Sequence, residues 1–174
     1  MSGWGMAVPA VSLSEAQAYV RVETGEEEAV LAGLIRTASA LCEAFLNQVV
    51  VARSFEEELV GDGGWQQLRT APVRSITAVE LVSPAGDAQP MAAHAFAVDI
   101  DRHGEGWVRV APRQRVVVKG SAGMAGDANG VPEPLRQGVI RLVAHLFATR
   151  DGAAGEPPAA VTALWRPYRR LRLG

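Results

Sequence analysis

The sequence holds one cysteine, Cys42, and a single thiol excludes an intramolecular disulfide framework. Its three histidines, His94, His103 and His145, lie too far apart to offer metal-ligand spacing, so no metal and no cofactor is expected. Lysine is nearly absent: sixteen of the seventeen basic residues are arginine, and Lys119 is the exception. No apolar run approaches the roughly 20 residues of a membrane span, so no membrane partner is expected. Residues 1–9 have neither a basic stretch nor an apolar core, so a signal peptide is not expected and the compartment reads as cytosolic. Strong net charge is also missing. Seventeen basic residues against nineteen acidic ones give −2, and no global field marks a nucleic-acid or membrane binder.

What is present suits a folded chain. A length of 174 residues is enough for one domain with a sizeable core, and 48% hydrophobic against 21% charged residues excludes wholesale disorder. The small net charge conceals an asymmetry. Residues 15–62 carry ten acids and three arginines, whereas residues 63–174 carry nine acids and fourteen basic residues.

Two capping patterns open the chain. Ser12 and Glu15 have the N-cap and N3 spacing at which hydroxyl and carboxylate each satisfy a helix-end donor, predicting a helix over 13–20. Thr24 and Glu27 repeat the spacing and predict a second helix over 25–47. In it Val30, Leu31, Leu34, Ile35, Ala38, Leu41, Cys42, Phe45 and Leu46 follow the periodicity of a buried face. The period then changes. Residues 49–51, 54–60, 73–82, 95–100, 107–110 and 115–119 read as strands, separated by turn signals at 61–64, 83–86 and 102–106. A turn-rich stretch over 120–130 leads to Pro132 and Pro134. These open a helix over 134–149 that buries Leu135, Val139, Leu142, Val143 and Leu146.

The fold class predicted is α+β: a small helical bundle with an inserted antiparallel β-sheet module over 49–119 and an extended C-terminal tail. Residues 1–150 make a single domain, 151–158 a Gly/Pro linker and 159–174 an anchor tail. Alone, residues 161–174 have too few apolar side chains to fold, so they are expected to stay mobile until a partner orders them.

No catalytic signature emerges. The glycines at 120, 123 and 126 lie between a strand and a helix, but they lack the lysine ending of a P-loop and the spacing of a dinucleotide fingerprint. Cys42 falls on an apolar helix face, where a thiol is most often a small buried hydrophobe. His145 lies at the margin of an apolar stripe. Asp99 and Asp101 flank a turn. With no nucleophile, base and orienting group in sight, an enzyme is not expected. The distinctive segment is the tail, where Trp165 and Tyr168 interleave with Arg166, Arg169, Arg170 and Arg172. Planar cations and aromatics of this kind suit protein recognition. They equally suit nucleic acid, through phosphate pairing and base stacking.

The order of elements resembles the head–tail connector, or adaptor, family of long-tailed bacteriophages and gene transfer agents. The resemblance runs from Val11 to Val22, through the helix ending Leu41 to Phe45 and the strand of Ala71 to Val79. It is strongest from Val131 to Phe147, with Arg150 shortly after. The chain departs from the family pattern near Met124, where an aromatic is usual. The resemblance implies a virion structural protein in the neck of a phage-like particle, in the host cytoplasm before assembly. It implies a homo-oligomeric ring, commonly twelve-fold, between the portal protein and a tail-side stopper protein, with DNA passing through. Under that reading the portal would be met by Trp165, Arg166, Tyr168, Arg169, Arg170 and Arg172, with DNA as the other partner for the arginines. The alternative is a small nucleic-acid-binding protein using the same Arg-rich tail.

Overall fold

The computed structural model describes residues 6–22, 25, 27–150 and 157–171. In chain order these form α1 (Leu13–Val20), α2 (Glu28–Leu46), β1 (Arg53–Val60), β2 (Trp65–Gln67), β3 (Val73–Val82), β4 (Ala88–Pro90), β5 (Phe96–Ile100), β6 (Gly106–Val110) and β7 (Arg115–Ala122). They end with α3 (Glu133–Ala148) and α4 (Ala159–Trp165). The α+β class is as expected. By contacts the described residues fall into two compact units, a helical one (6–51 with 125–171) and a β one (52–124).

In the helical unit, α1 begins with the capping box read from the sequence. The Ser12 hydroxyl accepts from the Glu15 amide at 3.2 Å, and the Glu15 carboxylate accepts from the Ser12 amide at 2.8 Å. Glu15 also pairs with Arg136 on α3. The second helix starts at Glu28, three residues later than predicted. Glu27 holds its N-cap position with φ 54° and no side-chain cap, while the Glu28 carboxylate reaches back to the Gly25 amide at 3.0 Å. Thr24, the expected cap, lies outside the described residues.

Helices α2 and α3 pack on each other, as their stripes predict. Leu31, Ile35, Ala38, Cys42 and Leu46 of α2 are buried, as are Leu135, Val139, Leu142 and Val143 of α3; Leu146 is half-buried. Two residues assigned to the buried face are not on it: Val30 is 44% and Leu41 40% exposed. At 100° per residue the apolar positions of α2 spread over more of the helix than α1 and α3 cover. Residues 49–51 are buried but form no strand. Their pairing is confined to Ala125, whose amide donates to the Val50 carbonyl at 3.0 Å and which bridges Val51. Buried Glu43 accepts from the Val50 amide at 2.9 Å and holds this segment against α2.

The β unit contains two antiparallel sheets, with strand orders β1-β7-β3-β4 and β2-β6-β5. Central strand β7 alternates strictly, burying Val116, Val118, Gly120 and Ala122 and turning Arg115 and Lys119 outward. It continues three residues past the predicted end because Gly120 is a strand position and not part of a turn. A Cβ there would lie 2.1 Å from the Ser75 carbonyl oxygen, so only glycine lets β3 pair this closely. Strands β2 and β4 went unpredicted; at three residues each they are too short to show alternation. Buried Glu57 accepts from the Arg69 and Thr70 amides at 2.7 and 3.0 Å and from the Thr70 hydroxyl at 2.9 Å. That carboxylate ties β1 to the segment leading into β3. The sole lysine spans the outer face of the first sheet, with Lys119 Nζ 2.8 Å from Glu80 and 3.6 Å from Glu56. The hydrogen bond to Glu80 raises its pKa above the usual lysine value.

Candidate partner-binding surface

The tail read from the sequence begins as a helix. Pro158 stands at the N-cap of α4, and the helix gives way at Arg166–Tyr168 to a 3-10 turn that accommodates Pro167. The segment is not held off the body, contrary to expectation. Trp165 is 1% exposed, and its indole Nε1–H donates to the Leu135 carbonyl at 3.3 Å. Its ring lies 5.9 Å from that of Phe45. The physical reason is a notch at Gly138 on α3, which receives the indole; one large aromatic with a satisfied N–H buries enough surface to dock a seven-residue helix.

Beyond Trp165 the backbone is fastened to the end of α2. Arg170 N–H donates to the Leu46 carbonyl at 2.9 Å, satisfying one of the acceptors a helix C-terminus leaves open. The Gln48 side-chain amide donates to the Tyr168 carbonyl at 2.6 Å. The Arg169 guanidinium lies 5.3 Å from the Phe45 ring centroid, within cation–π range.

The six expected partner-binding residues therefore separate. Trp165 is part of the chain's own core. Arg166 and Arg169 are exposed, Tyr168 and Arg170 are half-buried, and Leu171 beside them is 75% exposed. Arg172 and most of the expected linker, 151–156, lie outside the described residues. What the structure brings together is a basic cap seated on α2 and α3 and carrying one protruding leucine.

The other sequence candidates resolve into packing and turns. Cys42 is buried, and burial, with the neighbouring Glu43 charge second, pushes its thiol up to about 12, far from a thiolate at neutral pH. Asp101 Oδ1 accepts from the His103 and Glu105 amides at 2.8 and 2.9 Å, which is turn construction. Asp127 Oδ1 does the same for Asn129 and Gly130 in the stretch before α3. Among the described residues no group of His, Cys, Asp and Glu could hold a metal ion.

The sequence reading missed the outward face of α2, where Val30 and Leu41 stand exposed on one side of the helix. The signal was there, since more apolar positions recur along 28–46 than one buried stripe accounts for.

No family model and no curated protein sequence matches the chain. Solved structures do. A chain in the neck of an empty gene transfer agent (GTA) particle, computed with C6 symmetry, is 30% identical with a TM-score of 0.79, over 99% of this chain and 97% of that one. A chain in the virion of a native GTA particle is 29% identical, at TM-score 0.76 and the same coverage. A chain in the neck of a native GTA particle, computed with C12 symmetry, is 27% identical at TM-score 0.73, again over 99% and 97%.

Proposed function

The chain belongs to the head–tail connector family of gene transfer agents and long-tailed phages, and from that premise we propose that it is the adaptor seated under the portal ring, joining a DNA-filled head to its tail. The observation that carries the reading is the end-to-end match to a neck chain, 30% identical over 99% of this sequence and 97% of that chain. Its place is the particle neck, its role structural rather than enzymatic, and its first partner is itself, in a ring. The symmetries of the similar necks, C6 and C12, support the ring and a twelve-fold count. A closed ring of identical chains is built from head-to-tail contacts, each copy using two different faces.

The portal-facing surface in this reading is the basic cap. Arg166, Tyr168, Arg169 and Arg170, with Arg172 after them, would meet carboxylates or main-chain carbonyls of the portal, for which guanidinium forks are suited. Trp165 would serve by seating the cap, not by touching the portal. A tail-side stopper protein would dock on the opposite end of the ring, and DNA would pass through it.

The test is the double variant Arg166→Glu, Arg169→Glu in the particle-producing cell that encodes the chain. Both side chains are exposed, so the fold should persist while DNA-filled heads accumulate without tails. Tailed, DNA-delivering particles from this variant would remove the cap from the mechanism. Should the purified variant instead lose a steeply salt-dependent affinity for DNA, the nucleic-acid reading of these arginines takes precedence.

A further inference from the structure

We infer that the outward face of α2 is a seam between neighbouring copies in the ring; the inference rests on the ring reading above. A helix at the surface of a folded unit normally carries polar and charged residues on the side away from the core. Helix α2 carries few: past its first turn its charges are Glu43, which is buried, and Arg36, which is exposed. The exposed side presents Val30 at 44% and Leu41 at 40%, three turns apart on one line, with Thr37 between them and Ala40 and Ala44 beside them.

Gly33 adds an independent observation on the same side. A glycine inside a helix weakens it, so its presence calls for a steric reason. The chain itself supplies none: a Cβ at position 33 would meet nothing nearer than the mobile end of Arg36, at 3.9 Å. A backbone drawn close by another molecule would supply one.

An exposed helix side that holds a single charge leaves apolar surface to be covered. Length and composition would let α2 cross a membrane. Its inner side, however, already holds the core of its unit together through Leu31, Ile35, Ala38 and Leu46, so the occupant must cover one side only. A second copy meets that requirement, because each subunit of a ring is covered by two neighbours. Since ring contacts are head-to-tail, α2 would meet a different face of the neighbour and not its symmetry equivalent.

The experiment uses the purified full chain with a benzophenone amino acid in place of Ala40, and reads two signals over a concentration series: self-association by sedimentation, and the yield of covalent dimer on illumination. The expected result is dimer that rises with association and falls by about tenfold or more in a Gly33→Leu background. Gly33→Leu improves helix propensity, and a Cβ there meets nothing nearer than the end of the Arg36 side chain at 3.9 Å, so it should leave the circular dichroism and melting of the monomer intact. Leu41→Glu should act in the same direction. Self-association without an Ala40 adduct would leave the ring reading standing and overturn the seam. A chain that stays monomeric and unlinked at every concentration overturns the seam as well. So would flotation with lipid vesicles that Leu41→Glu abolishes, which would assign the face to lipid.

Discussion

The indole of Trp165 occupies the volume that a side chain at position 138 would need: a Cβ on Gly138 would lie 2.0 Å from Nε1. This pair decides whether the C-terminal segment is a free tail or part of the body. Trp165→Ala should destabilise the chain by about 3–5 kcal/mol in urea unfolding, as for other buried tryptophans. Gly138→Ala should also destabilise, by roughly 1–3 kcal/mol of overpacking, although alanine is the better helix former. Truncation after Pro158 should therefore expose apolar surface on α2 and α3 and not leave an undisturbed body. Unchanged stability in all three variants would return the segment to the status of a mobile tail.

The Cys42 thiol offers a check on the closure of the α2–α3 core. With its pKa pushed up to about 12 by burial, it should stay protonated across the neutral and mildly alkaline range. An aromatic disulfide reagent should react with the native chain only at the rate of unfolding, and promptly in denaturant. Fast labelling of the native chain would show that the α2–α3 core opens readily.

Stability should fall with pH in acid through the α1 cap. The Ser12 amide first, then its hydroxyl, and Arg136, hold the Glu15 carboxyl below its ordinary value of 4.5. A depressed carboxyl stabilises the fold above its unfolded pKa, and that contribution disappears as pH drops through the folded one. Melting temperature should thus decline below about pH 4.5 more steeply in the wild type than in Glu15→Gln. Because Glu15 is largely exposed, the difference should be small, and parallel curves would show that the cap contributes nothing.

The turn between β1 and β2 should tolerate insertion at one end only. Residues 62–64 are exposed, and a few Gly/Ser residues added after Gly63 should shift the melting temperature little, since closure entropy grows slowly with loop length. Gly61 is different. It is buried, and a Cβ there would lie 2.3 Å from the Ala111 carbonyl oxygen, so Gly61→Ala should destabilise the β unit. Equal tolerance at both positions would contradict the packing of this turn.

Local chemistry made much of the architecture legible. The Ser12–Glu15 cap placed α1 at 13–20, and the β-branched run from Val73 to Val82 placed β3, both with the observed ends. These signals are carried by residues within one turn or one strand of each other, and neighbouring backbone groups suffice to produce them.

Tertiary structure decided what depends on residues far apart in the chain. Periodicity marks α2 as apolar, but which apolar residues are buried depends on where α1, α3 and α4 lie, and that arrangement leaves Val30 and Leu41 outside. Val49, Val50 and Val51 read as a strand, and burial without a pairing partner beyond Ala125 left them outside any strand. Trp165 looked like an anchor for another protein because its notch, Gly138, stands 27 positions earlier on a different helix. A glycine gives no local sign of the indole it accommodates; only the packing of α4 on α3 brings the two together.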